Sequence, residues 1–353
     1  MKLKIVYIGI CILLFVSLAF LLTSVVYTAS KKHIPTPSLL GNGEDSISSL
    51  HEDSVKPHPF SILLVGDTQV STYFEQFYLE TDMPSDIDFA VILGDFVRKP
   101  EHEYHTFFIM EFDEWGIRYP ILLVPGNHDI AVTDRYLTKE NAFTRDDFEQ
   151  AYGSRNVSFM HAGCLFVIVD NIYNDDYVSY LKDALSQKPE GTLMTFVFMH
   201  VPPPSLSPLV ECRGIHMEED FFSIIDEYDV DHVICGDFHS YLKSEYGDTE
   251  FIITGGGGAE LDGENTYSFY HSVILDIDPE KRQVNERILP IAKKLDLIDE
   301  IEIFMMIEIY PIFKYHPVIF ASIILLNLVL LCICVILIRH KTNEPRTQRR
   351  KDS

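Results

Sequence analysis

The sequence has 353 residues, a formal net charge of −25 at pH 7, and 47% hydrophobic residues. An acidic chain of this kind repels nucleic acid, whose binding requires Lys and Arg to displace counterions, so we expect no nucleic-acid partner. The six cysteines show no spacing typical of a disulfide framework or a zinc cluster.

The first element is an uncharged apolar stretch from Ile5 to Ser30. It is longer than the ~20 residues that a helix needs to cross a bilayer, and longer than the ~7–15 apolar residues of a signal peptide. We therefore expect residues 1–30 to be an uncleaved transmembrane anchor. The basic start of the chain and the small residues at positions 28–30 leave a cleaved signal peptide as the alternative.

Residues 31–56 are rich in Ser, Pro, Gly and charged residues, which predicts a flexible linker. Residues 57–292 are expected to form one domain, in which apolar strand-like runs alternate with helix-like segments. This alternation is typical of an α/β domain with mainly buried strands. The predicted strands lie at 60–66, 89–94, 121–125, 164–170, 193–200, 230–236, 251–255 and 269–278. The predicted helices lie at 101–115, 145–152, 177–187 and 218–228.

A second apolar span follows this domain. Residues 293–316 predict a juxtamembrane helix, and the uncharged run at 317–338 predicts a transmembrane helix, with a buried core helix as the alternative. Residues 339–353 form a basic tail. Because basic flanks stay in the cytoplasm, we expect a cytoplasmic tail. The domain would then be extracytoplasmic, on the cell surface, the periplasmic side or in a secretory lumen.

Five short polar segments each follow a predicted strand. They are Gly66-Asp67-Thr68-Gln69, Gly94-Asp95, Gly126-Asn127-His128-Asp129, Met199-His200 and Gly236-Asp237-Phe238-His239. Sites in α/β sheets form at the carboxyl ends of strands, so these turns would bring their side chains to one edge. Asp, Asn, His and Gln all supply oxygen or nitrogen ligands to metal ions.

In the order and spacing of these segments, from Phe60 to about Pro290, the chain resembles the calcineurin-like metallophosphoesterases. The segment from Gly126 to Asp129 is a specific match, and so are the order and spacing of the other four segments. The resemblance implies a sandwich of two mixed β-sheets flanked by helices, here with transmembrane helices at both ends. It also implies a phosphoester substrate hydrolysed by a metal-activated hydroxide with two divalent ions.

The resemblance also implies roles for individual residues. One ion would be held by Asp67, Gln69, Asp95 and His239, and the other by Asp95, Asn127, His200 and Asp237. His128 would be the general acid that protonates the leaving group, held in place by Asp129. Five other histidines have no such setting and are expected to be structural: His102, His105, His161, His216 and His271.

Two positions depart from the family pattern, because Gln69 and Asp237 stand where the family usually has His. Both exchange a nitrogen ligand for oxygen, which favours Mn²⁺, with Fe, Mg²⁺, Zn²⁺ or Ca²⁺ as alternatives. Two hypotheses follow. The chain is either a membrane-anchored metal-dependent phosphoesterase or a catalytically degenerate, membrane-tethered protein that binds metal or protein partners. The other ligands and His128 are intact, which favours the enzyme.

Overall fold

The computed structural model describes residues 2–31, 34–52, 56–69, 86–207, 209, 215–262, 267–291 and 297–343. The chain divides into two compact units. One lies within residues 34–296, and the other is made of the two chain ends, 1–33 and 297–353. The domain boundaries given above remain predictions.

The strands all lie in the first unit and are numbered in chain order. They are β1 (Phe60–Val65), β2 (Phe89–Ile92), β3 (Ile121–Leu123), β4 (Val157–His161), β5 (Cys164–Ile168), β6 (Met194–Met199), β7 (His232–Cys235), β8 (Tyr241–Tyr246), β9 (Thr249–Thr254), β10 (His271–Asp278) and β11 (Gln283–Pro290).

The helices of the same unit pack around the sheets. They are α2 (Glu44–Glu52), α3 (His102–Trp115), α4 (Asp134–Leu137), α5 (Arg145–Tyr152), α6 (Asp176–Ser186) and α7 (Glu218–Glu227), with a short 3-10 turn at Pro204–Leu206. A capping box begins α5, because the Thr144 side chain accepts from Asp147 N while the Asp147 side chain accepts from Thr144 N.

The strands form two mixed sheets, in the orders β11-β10-β1-β2-β3 and β4-β5-β6-β7-β9-β8. In the first sheet β1, β2 and β3 are parallel. In the second, β5, β6, β7 and β9 are parallel. The main core lies between the sheets and includes Leu64 of β1 and Phe166 of β5. A second core covers the outer face of the second sheet with Leu181 and Phe221 from α6 and α7. The parallel strands therefore deliver their carboxyl ends to one edge.

Every strand and helix predicted within residues 57–292 is present, and so is the predicted fold class. Three strands were not predicted: β4, β8 and β11. They lie at sheet edges, and each mixes buried or half-buried positions with exposed ones, so they lack the continuous buried run of a central strand.

The predicted flexible linker is wrong for residues 34–52. Helix α2 lies in this segment, and Leu40 and Leu50 are buried in the first unit. The Asn42 amide donates to Leu123 O (2.8 Å) and accepts from Leu123 N (3.0 Å), so this segment is fastened to β3. Composition alone cannot predict this packing, because it depends on a few side chains among many polar ones. Residues 53–55 lie outside the described residues.

The second unit is helical. It contains α1 (Lys2–Lys31), α8 (Leu297–Ile303), a π-helical turn (Phe304–Ile309), α9 (Tyr310–Tyr315) and α10 (Pro317–Asn343). Two of its helical segments, Ile5–Lys31 and Pro317–His340, are long and apolar enough to cross a membrane. Within this unit, the rings of Phe20 and Phe304 stack with centroids 6.1 Å apart. Residues 293–296 of the predicted juxtamembrane helix and 344–353 of the tail lie outside the described residues.

Candidate metal centre and active site

The turns after the parallel strands have an unusual backbone. Asp67, Gln69, Asp95 and Asp237 all have positive φ, at 58°, 48°, 51° and 60°. This left-handed conformation costs about 1–2 kcal/mol for a residue with a side chain. Residues held in this way cluster at functional sites, where the surrounding structure determines them. The strain therefore coincides with four of the predicted metal ligands.

Two glycines allow these turns to approach each other. A Cβ at Gly94 would lie 2.3 Å from His200 Nδ1, and a Cβ at Gly126 would lie 2.2 Å from Asp95 N. No side chain fits at such distances. The glycines of the polar segments thus permit close packing of the turns that follow β2, β3 and β6.

The ionisable side chains converge from both sheets. His200 Nε2 lies 3.4 Å from Asp95 Oδ1 and 3.7 Å from Asp237 Oδ1. His239 Nε2 lies 3.3 Å from Asp67 Oδ1. The ligand atoms of Asp67, Asp95 and His239 all lie within 4.8 Å of one another. The structure therefore brings together five of the predicted metal-ligating residues.

Each of the two imidazoles has its Nδ1 fixed by a backbone carbonyl. His200 Nδ1 donates to Leu93 O at 2.7 Å, and His239 Nδ1 donates to Glu260 O at 2.6 Å. Because a carbonyl only accepts, Nδ1 carries a proton, and Nε2 is the nitrogen that faces the carboxylates. This is the usual arrangement of metal-ligating histidines.

Two polar side chains that the sequence did not indicate support these histidines. Asn171 Oδ1 accepts from His200 N at 3.2 Å, and Asp262 Oδ2 accepts from His239 N at 3.0 Å. Neither stands in a recognisable motif, so only the folded structure assigns them a place at the site. The glycine-rich turn near residue 257 also packs here, since Gly257 N donates to Gly66 O at 2.8 Å.

The electrostatics of the cluster call for positive charge. Burial raises the pKa of Asp67 to about 6, while Asp67, working against burial, raises the pKa of His239 to about 9. Burial lowers the pKa of His200, but the nearby carboxylates, Asp95 foremost, together outweigh burial and raise this pKa well above the ordinary value. Asp67 Oδ1 and His200 Nε2 are buried without a hydrogen bond of good geometry. Buried carboxylates with open ligand atoms fit divalent cations.

The two predicted amide ligands lie at the same edge. Gln69 is half-buried, and its backbone N donates to Asp95 O at 2.9 Å. Asn127 is half-buried in the turn between Gly126 and His128. That turn is joined to the cluster because His128 N donates to Asp95 Oδ1 at 2.8 Å.

The expected contact between His128 and Asp129 is not what the structure shows. His128 Nδ1 donates to Arg98 O at 2.6 Å, and the His128 side chain is 38% exposed. Asp129 is fully buried, and its carboxylate accepts from the backbone N of Asp95 (2.8 Å), Gly126 (2.8 Å) and Val97 (3.1 Å). Asp129 therefore positions two turns rather than the imidazole, because three N–H donors already occupy its oxygens.

The sequence profile of calcineurin-like phosphoesterases matches residues 60–241, and the chain belongs to this family. No curated protein matches the sequence. Among solved structures, a purple acid phosphatase from yellow lupin (Lupinus luteus) seeds is 14% identical with a TM-score of 0.50, covering 69% of this chain and 57% of that one. This chain thus spans little more than half of the lupin protein's length, and the likeness shows the fold alone.

Two further structures are similar at lower scores. A dimetal phosphatase from Danio rerio is 12% identical, with a TM-score of 0.46 over 67% of this chain and 100% of that one. GAP50, described as the anchor in the inner membrane complex of Plasmodium, is 16% identical, with a TM-score of 0.42 over 71% of this chain and 96% of that one.

Proposed function

We propose that this chain is a membrane-anchored, metal-dependent phosphoester hydrolase. The observation that carries the proposal is the convergence of Asp67, Asp95, Asp237, His200 and His239 at one sheet edge, in a chain of this family. A protein that had lost its metal chemistry would gain stability by replacing such buried charges with apolar residues.

The proposed ligands divide between two ions. Asp67, Gln69, Asp95 and His239 would hold one, and Asp95, Asn127, His200 and Asp237 the other. When bound, two divalent ions polarise the phosphate and lower the pKa of a water molecule. Because oxygen ligands predominate, we propose Mn²⁺ as the preferred ion.

His128 is proposed as the general acid. Its Nδ1 is occupied by Arg98 O, so Nε2 is the nitrogen that carries the transferable proton. Nε2 lies 3.9 Å from Asp95 Oδ2, at the edge of the proposed metal cluster. The half-exposed ring can thus donate a proton to the leaving oxygen of a substrate that enters from solvent.

The decisive experiment uses the full chain purified in detergent. After removal of metal, Mn²⁺ is restored and hydrolysis is measured for phosphomonoesters, phosphodiesters and pyrophosphates, with the Asp95→Asn variant as the control. We expect Mn²⁺-dependent turnover of at least one class that the variant lacks. Metal binding without any turnover would contradict the enzyme and favour the degenerate alternative suggested by Gln69 and Asp237.

We also propose that the catalytic unit lies outside the cytoplasm. The support is the basic composition of residues 339–353 after the second apolar helix. A reporter fused after the last residue should be accessible only from the cytoplasm, whereas external protease should reach the catalytic unit. A tail accessible from outside would contradict this orientation.

A further inference from the structure

A second group of metal-ligand side chains lies at the opposite edge of the sandwich. His58 precedes β1, Asp88 precedes β2, and His161 ends β4. The three side chains offer ligand atoms that all lie within 4.8 Å of one another. Since β1 and β2 belong to the first sheet and β4 to the second, this cluster joins the two sheets. We call it the rear cluster.

His161 contributes a buried nitrogen that lacks a partner. The residue is 1% exposed, and its Nδ1 donates to Leu50 O at 3.2 Å. Its Nε2 has no hydrogen-bond partner and lies 3.6 Å from Asp88 Oδ1. The Phe60 and Phe89 rings pack against the imidazole, with centroids 4.9 Å and 5.6 Å away. His161 Nε2 therefore lies in an apolar environment and faces only the cluster. Burying a polar atom in this way without a bound partner costs free energy.

His58 is arranged in the same way. Its Nδ1 donates to Lys56 O at 3.0 Å, which leaves Nε2 as the ligand atom. The rear-cluster histidines therefore repeat the arrangement of His200 and His239, with Nδ1 fixed by a carbonyl and Nε2 open.

A buried structural histidine in the same unit differs. His105 uses both ring nitrogens, one with Tyr152 Oη at 3.0 Å and the other with Asp129 O at 2.9 Å. Its ring has no nitrogen left for a metal ion. The open Nε2 of His161 thus distinguishes it from His105, whose ring nitrogens both have partners.

Asp88 completes the ligand set. Its Oδ2 accepts from Ser61 N at 3.1 Å, which orients the carboxylate and leaves Oδ1 facing His161. The Asp88 side chain is 27% exposed, so the cluster is open to solvent on one side. An ion can enter there, and water can supply its remaining ligands.

We propose that the rear cluster is a binding site for one divalent transition-metal ion, with Zn²⁺ the best fit. Two imidazole nitrogens and one carboxylate oxygen form a donor set that Zn²⁺ accepts. Mg²⁺ and Ca²⁺ instead require six or more oxygen ligands. The bound ion ties the segment before β1 and the start of β2 to the end of β4, and so stabilises the fold. The site takes no part in hydrolysis.

The test measures zinc per chain and the melting temperature of the full chain in detergent, after chelation and after addition of Zn²⁺. The variants are His58→Ala, whose ring is half-buried, and Asp88→Asn, which is nearly isosteric. The matched control is His216→Ala, because its Nδ1 also lies 3.1 Å from an aspartate, Asp175, but in an exposed pair. We expect each rear-cluster variant to bind one zinc ion fewer than wild type and the control, and to show a smaller zinc-dependent rise in Tm.

Two results would overturn the proposal. The first is an unchanged zinc stoichiometry in both His58→Ala and Asp88→Asn. The second is a loss of Tm in Asp88→Asn that is the same with chelator as with zinc, since Asp88 and His161 would then form only an ion pair. The proposed phosphoesterase activity is independent of either result, because the rear-cluster residues lie at the other edge.

Discussion

The two edges of the sandwich use similar side chains in different ways. At the carboxyl ends of β1, β2, β6 and β7, three carboxylates and two histidines converge, and the Asp67, Asp95 and Asp237 backbones are all left-handed. At the rear cluster, one carboxylate and two histidines meet, and none of the three residues has positive φ. The difference is in backbone strain and in the number of acidic groups.

The edge with Asp67, Asp95 and Asp237 has the features expected of a catalytic site, whereas the rear cluster has those expected of a stabilising site. Backbone strain serves to hold side chains where relaxed loops would not place them. Excess negative charge would serve to bind the two proposed ions and, through them, an anionic substrate. A relaxed set with a single carboxylate suits one ion with a structural role. Substitutions at the two edges should therefore have opposite effects on activity and stability.

The largest expected effect comes from Asp95. Asp95→Asn removes the carboxylate proposed to bridge both ions and should abolish hydrolysis, whereas Asp88→Asn should leave kcat/KM unchanged. Steady-state assays with Mn²⁺, and elemental analysis of both variants, check this pair. Equal losses of activity in both variants would remove the functional distinction between the edges.

The next effect concerns proton transfer. His128→Ala should slow hydrolysis by about 10²–10⁴-fold for substrates with poor leaving groups, the usual contribution of a general acid. Substrates with good leaving groups should be affected less, and metal content should match wild type. The measurement is a series of aryl phosphates with different leaving-group pKa values.

Asp129→Asn serves as the comparison for His128, because Asp129 positions the turns of Asp95 and Gly126. Its loss should slow good and poor leaving groups equally. If His128→Ala also lacked any dependence on the leaving group, its role as a general acid would have to be abandoned.

A smaller effect is expected at Asp237, where a carboxylate replaces the family's imidazole. Asp237→His should preserve activity while it shifts the preferred ion from Mn²⁺ toward Zn²⁺. Asp237→Ala should lower the number of bound ions. Metal titrations of both variants, read by activity and by bound metal, check the shift. Full metal content in Asp237→Ala would show that this carboxylate is not a ligand.

The smallest effect concerns His105, which belongs to neither edge. Burial lowers its pKa from 6.5 to about 3. Below pH 6.5, His105 therefore binds a proton in the unfolded chain but not in the folded protein. Stability should fall as the pH drops from 6.5 toward 3, by about 2 kcal/mol at pH 5. Urea unfolding of His105→Gln should show a shallower loss between pH 7 and 5, while the exposed His216→Gln control keeps the wild-type slope.

The sequence predicted the central strands because they are buried on both faces and read as continuous apolar runs. It also predicted where the polar segments lie, because residues that directly follow a predicted strand must lie at its carboxyl end. The edge strands β4, β8 and β11 were not predicted, because their exposed faces carry polar residues. The packing of Asn42 on β3 depends on residues distant in sequence, which composition does not record.

The details of the candidate sites were less accessible. The sequence indicated Asp129 as a partner of His128, but the direction of its carboxylate depends on which backbone N–H groups surround it. His161 was expected to be structural, since nothing near it in sequence suggests a ligand. Its neighbours His58 and Asp88 come from separate segments, and only the packing of one sheet on the other brings the three together.

The left-handed backbone at Asp67, Gln69, Asp95 and Asp237 has a consequence for evolution. Gly relieves such a conformation, and Asn tolerates it better than most residues do. Selection for stability alone would thus move these positions toward Gly or Asn. Gln69 is the most informative of the four, because a long side chain has no conformational advantage there. Descendants that lack the proposed metal site should show Gly or Asn at position 69 first, so the residue found there would distinguish lineages that keep the site from those that do not.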